Sequence, residues 1–261
     1  MEIALIYFIT IIFANAIGAL SGMGGGVIIK PVLDYIGAHD LLSISFYSSV
    51  AVLTMSIVST LKQWKNGAKV QWKLAVIVSI GSILGGLLGN TLFEFLVHFF
   101  MNDGVVQSIQ IVITILSLGF AFIYTKFSIF VLNLRQNIWY FSIGLFLGFL
   151  STLLGIGGGP INVAFLILFF GISMKSATLY SIITILFSQM TKLISTGFSV
   201  GYEQFDLSML YAIIPAAIIG GYIGAFFSFK LSNKSVATIY QAVVLFVILL
   251  NVTNAIQLYF Y

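Results

Sequence analysis

Long uninterrupted apolar segments are the feature of this sequence that most restricts its fold. A bilayer core about 30 Å thick takes roughly 20 apolar residues per helix, and helices satisfy their own backbone groups inside lipid. Charged residues make up only 7% of the 261 residues, too few to cover a water-facing surface. We therefore predict an all-α polytopic membrane protein. The predicted spans are 3–20, 43–61, 72–97, 105–124, 138–154, 176–198, 208–229 and 236–258.

Two further apolar segments, 26–37 and 160–171, are too short to cross the bilayer. At about 1.5 Å per residue, a helix of this length reaches only ~18 Å, roughly half of the hydrocarbon layer. Each segment directly follows a cluster of glycines. We therefore predict two half-helices that begin at glycine clusters.

The sequence contains an internal duplication. Gly22–Gly26 recurs as Gly155–Gly159, an offset of 133 residues, and Tyr47 with Ser48 recurs as Tyr180 with Ser181 at the same offset. An ordered series of matches of this kind indicates a structural repeat. The predicted units are a first transmembrane repeat at 1–125, a cytoplasmic linker at 126–137 and a second transmembrane repeat at 138–261.

Loop charges indicate how the two repeats are oriented. Equivalent loops differ, because the first repeat carries a lysine cluster where the second carries two acidic residues. By the positive-inside rule, the lysine loop is cytoplasmic and the acidic loop is outside. This pattern favours two inverted repeats, each of four spanning helices plus one half-helix. Two parallel four-helix halves remain the alternative. The residues concerned are Lys62, Lys65, Lys69 and Lys73 in the first repeat, and Glu203 and Asp206 in the second.

The glycine clusters are candidate anion sites. The N-terminus of a helix presents free backbone N–H groups and a partial positive charge, both of which favour anions. In transporters with inverted repeats, the ends of broken helices hold the substrate near the midplane. The alternative is that these glycines only permit close helix packing. The candidate residues are Gly24, Gly25 and Gly26 in one cluster, and Gly157, Gly158 and Gly159 with Pro160 in the other.

A stripe of hydroxyl side chains follows each half-helix and is predicted to line the same site. Spacings of three and four residues place these side chains on one helical face. Each hydroxyl could instead bond to a carbonyl four residues earlier. The candidates are Ser48 and Ser49 in the first repeat, and Ser181, Thr184 and Ser188 with the flanking Gln189 and Lys192 in the second.

Charged residues inside the spans are few. A lysine within an apolar span costs roughly 2.5–3.5 kcal/mol and is usually functional, although Lys192 could also extend to the membrane interface. Lys30 and Asp34 lie four residues apart on the first half-helix and could pair with each other. Asp34 and Glu94 are the candidates for carrying a coupling proton.

These motifs resemble the sulfite exporter TauE/SafE family of small membrane transporters, and the similarity covers nearly the whole chain. The resemblance is carried by the two glycine clusters, by Pro31 and Pro160 after them, and by the paired serines Ser48 and Ser181. Tyr47 and Tyr180 stand where the family usually has threonine.

The resemblance implies a transporter of small sulfur-containing anions, such as sulfite, thiosulfate or an organosulfonate, driven by an ion gradient. Alternatives are a passive anion channel and, less favoured, a membrane-embedded enzyme. We predict a multi-pass protein of the bacterial plasma membrane whose partners are a small anion and the lipid bilayer, with no cofactor, no metal, no catalytic residue and no nucleic-acid partner. A homo-oligomer is compatible with the sequence.

Overall fold

The computed structural model describes residues 2–68, 70–127 and 130–260, and over these residues it is all-helical with ten α-helices. Seven of them are long and apolar enough to cross a membrane. The first five helices are α1 (Glu2–Ser21), α2 (Gly26–Ile36), α3 (Leu41–Lys65), α4 (Trp72–Phe100) and α5 (Asp103–Phe127). The second five are α6 (Asn137–Leu153), α7 (Gly159–Phe170), α8 (Met174–Ser199), α9 (Leu210–Lys230) and α10 (Asn233–Phe260).

The predicted helices are all present. Seven of the eight predicted spans are helices long and apolar enough to cross a membrane, and the remaining one, α6, has the predicted 17 residues and reaches about 25 Å. Both predicted half-helices are confirmed, because α2 has 11 residues and α7 has 12. In each half of the chain, the half-helix is therefore the second helix.

Local signals that end and begin helices occur at equivalent places in the two halves. Both half-helices end at a left-handed glycine, Gly37 at φ 64° and Gly171 at φ 66°. Glycine adopts this conformation without a Cβ penalty, which makes it the common residue after a helix. The next helices begin at Asp40 and Ser173, whose side chains accept from the backbone N–H three residues later. The sequence thus forces a turn directly after each half-helix.

The first helix of each half packs against the fourth helix of the other half, α1 against α9 and α6 against α4. Glycines make this close approach possible. A Cβ at Gly85 would lie 1.9 Å from the carbonyl oxygen of Leu145, and one at Gly224 would lie 2.2 Å from that of Ala16. Small residues at helix interfaces are the usual basis of tight packing in membranes. The two halves therefore form one interlocked bundle.

Helices α3 and α8 lie next to each other at the centre of the bundle. Near the start of α3, the Tyr47 hydroxyl donates to the carbonyl of Asp206, which follows α8 (3.2 Å). Near the start of α8, the Tyr180 hydroxyl accepts from the N–H of Gln71, which follows α3 (2.6 Å). The start of each helix thus lies beside the loop that follows the other.

The connection between the halves covers part of the predicted linker 126–137. Residues 130–136 run along the end of α7, where the N–H of Leu132 donates to Leu168 and that of Leu134 to Phe169, both at 2.8 Å. Lys69, one of the four lysines used to orient the first repeat, lies outside the described residues.

Candidate functional site

The two glycine loops, residues 22–26 and 155–159, contact each other through their backbones. A Cβ at Gly26 would lie 2.4 Å from the carbonyl oxygen of Ile156, and one at Gly24 would lie 3.1 Å from that of Gly157. Gly24 and Gly157 also have φ angles above 70°, which side chains rarely adopt. These contacts agree with the close-packing interpretation of the clusters. The same contacts place the N-termini of the two half-helices side by side. An anion site shared by both N-termini would need this arrangement.

Two asparagines contact the N-terminal glycines of the half-helices. The Asn15 side chain lies against Gly25, and the Asn162 side chain lies against Gly158, the position equivalent to Gly25. Both asparagines are fully buried, and Asn15 Oδ1 and both polar atoms of the Asn162 carboxamide have no hydrogen-bond partner among the described residues. Buried polar atoms without a partner are rare and usually mark a place for water or a ligand. Each half-helix therefore begins in a buried polar environment.

Apolar side chains pack against both glycine loops. Val52 of α3 contacts Gly157, and its equivalent Ile185 of α8 contacts Gly24 and Gly158. In this conformation the loops therefore do not enclose an open anion cradle. An anion that reached the loop amides would have to displace these two side chains by a movement of α3 and α8.

Lys192 is buried in the bundle, which corrects the interpretation that it extends to the membrane interface. Its exposed fraction is 2%. Its Nζ donates to Ser45 Oγ at 2.5 Å and to the Thr152 carbonyl at 3.4 Å, and lies 5.2 Å from the centre of the Phe93 ring. No carboxylate lies within 4 Å of this ammonium group among the described residues. Burying a cation without a carboxylate in direct contact is costly, and such a group attracts an anion.

The lysine is connected to the second glycine loop. A Cβ at Gly155 would lie 2.7 Å from Ser45 Oγ and 3.3 Å from the Lys30 side chain. Lys30 therefore lies at this glycine directly, whereas Lys192 reaches it through Ser45. Glu94 of α4 lines the small cavity beside Lys192 and accepts from Asn90 at 2.8 Å and from Ser199 at 2.9 Å. Of the two lysines, only Lys30 is in direct contact with a carboxylate among the described residues.

The cavity beside Lys192 is about 10 Å³, room for roughly one water molecule. An aromatic pair closes one side of it, because the ring of Phe205 stacks on that of Phe46 at 4.2 Å. Phe205 belongs to the loop between α8 and α9. In the same loop, hydrogen bonds from the side chain and backbone of Ser208 lower the pKa of Asp206. The cavity beside Lys192 is too small for an oxyanion in this conformation, so the loop and the helices must separate to admit one.

The predicted hydroxyl stripe has several distinct roles. Ser181 donates to the carbonyl of Gly22 at 2.5 Å and so holds the first glycine loop. Ser188 contacts Ser151, which also accepts from Gln189 at 3.0 Å. Ser48 is fully buried and has no hydrogen-bond partner among the described residues. Ser49 and Thr184 donate to the carbonyls four residues earlier in their own helices, which is the alternative role given above for these hydroxyls. The carbonyl of Pro160, another candidate residue, accepts from the Tyr240 hydroxyl at 2.6 Å.

A larger cavity, about 410 Å³, lies elsewhere, between α3, α4 and α8. Its walls include Trp64, Trp72 and Phe187, and the described residues that line it carry no charge. Such a lining suits lipid chains. We therefore place the candidate anion site at Lys192 and the glycine loops.

Sequence reasoning missed two residues of this site. Asn15 was not singled out, although an amide in an otherwise apolar span is itself a signal. Ser45 belongs to the hydroxyl stripe of α3, but its role as the acceptor for Lys192, 147 residues away, has no local signal.

Comparisons with known proteins agree with the resemblance. The family described as Sulfite exporter TauE/SafE matches residues 7–252. The chain is also 25% identical over 259 residues to a probable membrane transporter protein, YunE, of Bacillus subtilis (strain 168), covering 90% of this chain and 92% of that protein. The match and the seven long apolar helices identify a multi-pass plasma-membrane protein. The chain belongs to the sulfite exporter TauE/SafE family of membrane transporters.

Proposed function

We propose that this protein is a secondary transporter that moves a small sulfur-containing anion across the plasma membrane by alternating access. The observation that carries the proposal is the buried ammonium group of Lys192, which has no carboxylate within 4 Å among the described residues and lies beside the second glycine loop. A buried ammonium group beside the second glycine loop recognises a small oxyanion by charge, and the free amides of a helix N-terminus recognise it by hydrogen bonds. The sulfur-containing class comes from the family.

Free backbone donors support anion recognition. Gly24 and Gly155 donate to carbonyls in the helix that precedes each loop, at 3.3 Å and 3.2 Å. Among the described residues, the amides of Gly25, Gly26, Gly157 and Gly158 have no acceptor. These N–H groups become available to a bound anion once Val52 and Ile185 move aside.

Inverted repeats are part of the proposal. The reciprocal contacts of Tyr47 with the loop after α8, and of Tyr180 with the loop after α3, support opposite directions for these equivalent helices. The reciprocal packing of α1 with α9 and of α6 with α4 supports the same arrangement. In such a fold, one repeat rocks against the other around a central site. Reporter fusions in the 199–207 loop test the orientation, and a cytoplasmic location would contradict it.

Ligand binding is the first test of the proposed substrate class. Purified protein is heated with sulfite, sulfate, thiosulfate or taurine, with acetate as the comparison anion. An anion at 100 times its dissociation constant adds about 2.7 kcal/mol to the free energy of unfolding and so raises the melting temperature. Stabilisation by acetate alone, or by none of the sulfur-containing anions, would contradict the proposal.

Transport in sealed vesicles separates a coupled transporter from a passive channel. We expect uptake of the anion against its own gradient when a proton gradient is imposed, and loss of that uptake when an uncoupler is added. Flux that is indifferent to every imposed ion gradient would identify a channel instead.

A further inference from the structure

An ion pair lies inside the first half-helix. Lys30 Nζ and Asp34 Oδ2 are 2.8 Å apart, and their side chains are only 4% and 5% exposed. No other ion pair occurs in residues 2–68, 70–127 and 130–260. The equivalent positions in the second half-helix are Val163 and Ile167. Because burying two charges is expensive and the equivalent helix forms without them, the pair is not needed to build a half-helix.

Lys30 links this ion pair to the candidate anion site. Its Cδ and Cε pack at the second glycine loop, each 3.3 Å from where a Cβ of Gly155 would lie. Ser45, which holds Lys192, lies at the same glycine. The carbon chain of Lys30 therefore lies at the anion site, whereas its ammonium group is bound to Asp34.

Asp34 also lines a second, polar cavity. This cavity has a volume of about 300 Å³, enough for several water molecules. Asn254 in its wall donates to the Pro31 carbonyl at 2.8 Å, and Asn254 Oδ1 has no partner among the described residues. The remaining lining residues are Gln107, Gln257 and Leu258. Water in such a cavity can carry a proton to the Asp34 carboxylate without passing through the Lys192 cavity.

We propose that Asp34 carries the coupling proton and that Lys30 couples this proton to the anion, an inference that rests on the proposed transport function. A proton adds to the Asp34 carboxylate, which becomes a neutral carboxyl, and the attraction to Lys30 is lost. The ammonium of Lys30 then turns to the anion beside Lys192. Each anion bound in this way is accompanied by one proton, so the two move in the same direction.

Few titratable groups face Asp34 among the described residues. Lys30 faces it from its own helix, and Tyr7 of α1 is close by, with its hydroxyl 2.9 Å from His39 Nδ1. The residues of α5 and α10 that line the polar cavity are uncharged amides and one leucine. Asp34 is therefore the only carboxylate that lines this cavity among the described residues.

Calorimetry on the purified protein tests the inference. Thiosulfate is the probe because its charge is constant over the pH range used, and titrations in buffers of different ionisation enthalpy give the number of protons taken up per anion. For the wild type we expect about one proton, with affinity falling about tenfold per pH unit above the ionisation of Asp34. For Asp34→Asn we expect about one proton fewer per anion than in the wild type, and an affinity that is higher above the ionisation of Asp34.

Asp40→Asn is the matched control. Asp40 is exposed and starts α3, and asparagine caps a helix start equally well. This variant should keep the proton uptake of the wild type. Retained proton uptake in Asp34→Asn would overturn the inference but leave the proposed function standing. Absence of thiosulfate binding in the wild type would count against the proposed function itself.

A measurement on the wild-type chain covers the case in which Asp34→Asn does not fold. A carbodiimide modifies protonated carboxyl groups, and mass spectrometry of the peptides shows which ones react. Asp34 should be modified in a pH-dependent manner, and more so when thiosulfate is bound. An Asp34 that stays unmodified at every pH would overturn the inference.

Discussion

Replacing glycine by alanine at the start of the half-helices should cost different amounts at two equivalent positions. At Gly158 the φ angle is 105°, and an added Cβ would lie 2.5 Å from Asn162 and 2.8 Å from Ile185. The backbone strain costs about 1–3 kcal/mol and the overpacking about 1–3 kcal/mol more. We therefore expect Gly158→Ala to lower the free energy of unfolding by roughly 2–6 kcal/mol.

The equivalent change at Gly25 should be less costly. Its φ angle is −68°, so alanine adds no backbone strain, and the nearest atom is the Asn15 carboxamide oxygen at the end of a side chain. Only the displacement of Asn15, which donates to the Ala51 carbonyl at 3.3 Å, remains as a cost. We expect about 1–3 kcal/mol from this overpacking.

Gly119→Ala is the control for both variants. Gly119 lies within α5 and has nothing within 4 Å of an added Cβ, so alanine should be neutral or stabilise by up to about 1 kcal/mol. Unfolding free energies are measured by titrating protein in dodecylmaltoside with SDS, and anion flux is measured in vesicles. A Gly158→Ala protein as stable as Gly119→Ala would refute the reasoning from loop geometry.

Three further changes test other parts of the structure. Lys192→Met removes the buried cation, so the stabilisation by thiosulfate in thermal unfolding should disappear; a persisting shift would contradict the site. Because the chain has no cysteine, Ser45→Cys provides a single thiol, which should resist a membrane-impermeant maleimide but react when Phe205→Ala removes the stacked ring. Equal labelling with and without Phe205 would rule out its role as a cover. In Gly220→Leu, the new Cβ would lie 2.6 Å from the Ile12 carbonyl oxygen, so the free energy of unfolding should fall by about 1–3 kcal/mol. Wild-type stability of this variant in the SDS titration would contradict the packing of α1 on α9.

Much of the fold could be predicted because its signals are local. Apolar length predicts each membrane helix, and a glycine cluster before a short apolar segment predicts a half-helix. The pairing of Lys30 with Asp34 follows from their four-residue spacing, as the 2.8 Å contact confirms. The predicted span 138–154 corresponds to α6, which has the same length of 17 residues and begins and ends one residue earlier.

The sequence by itself determined an all-helical membrane protein with two glycine clusters that each precede a short helix, because hydropathy and backbone freedom depend on neighbouring residues. Only the tertiary structure decided which polar groups meet: Lys192 with Ser45, and Asn254 with the Pro31 carbonyl 223 residues away. It also decided that Val52 and Ile185 pack against the glycine loops. Inside a membrane, helix rotation and spacing are set by close packing and interhelical hydrogen bonds, and neither leaves a periodic pattern along the chain.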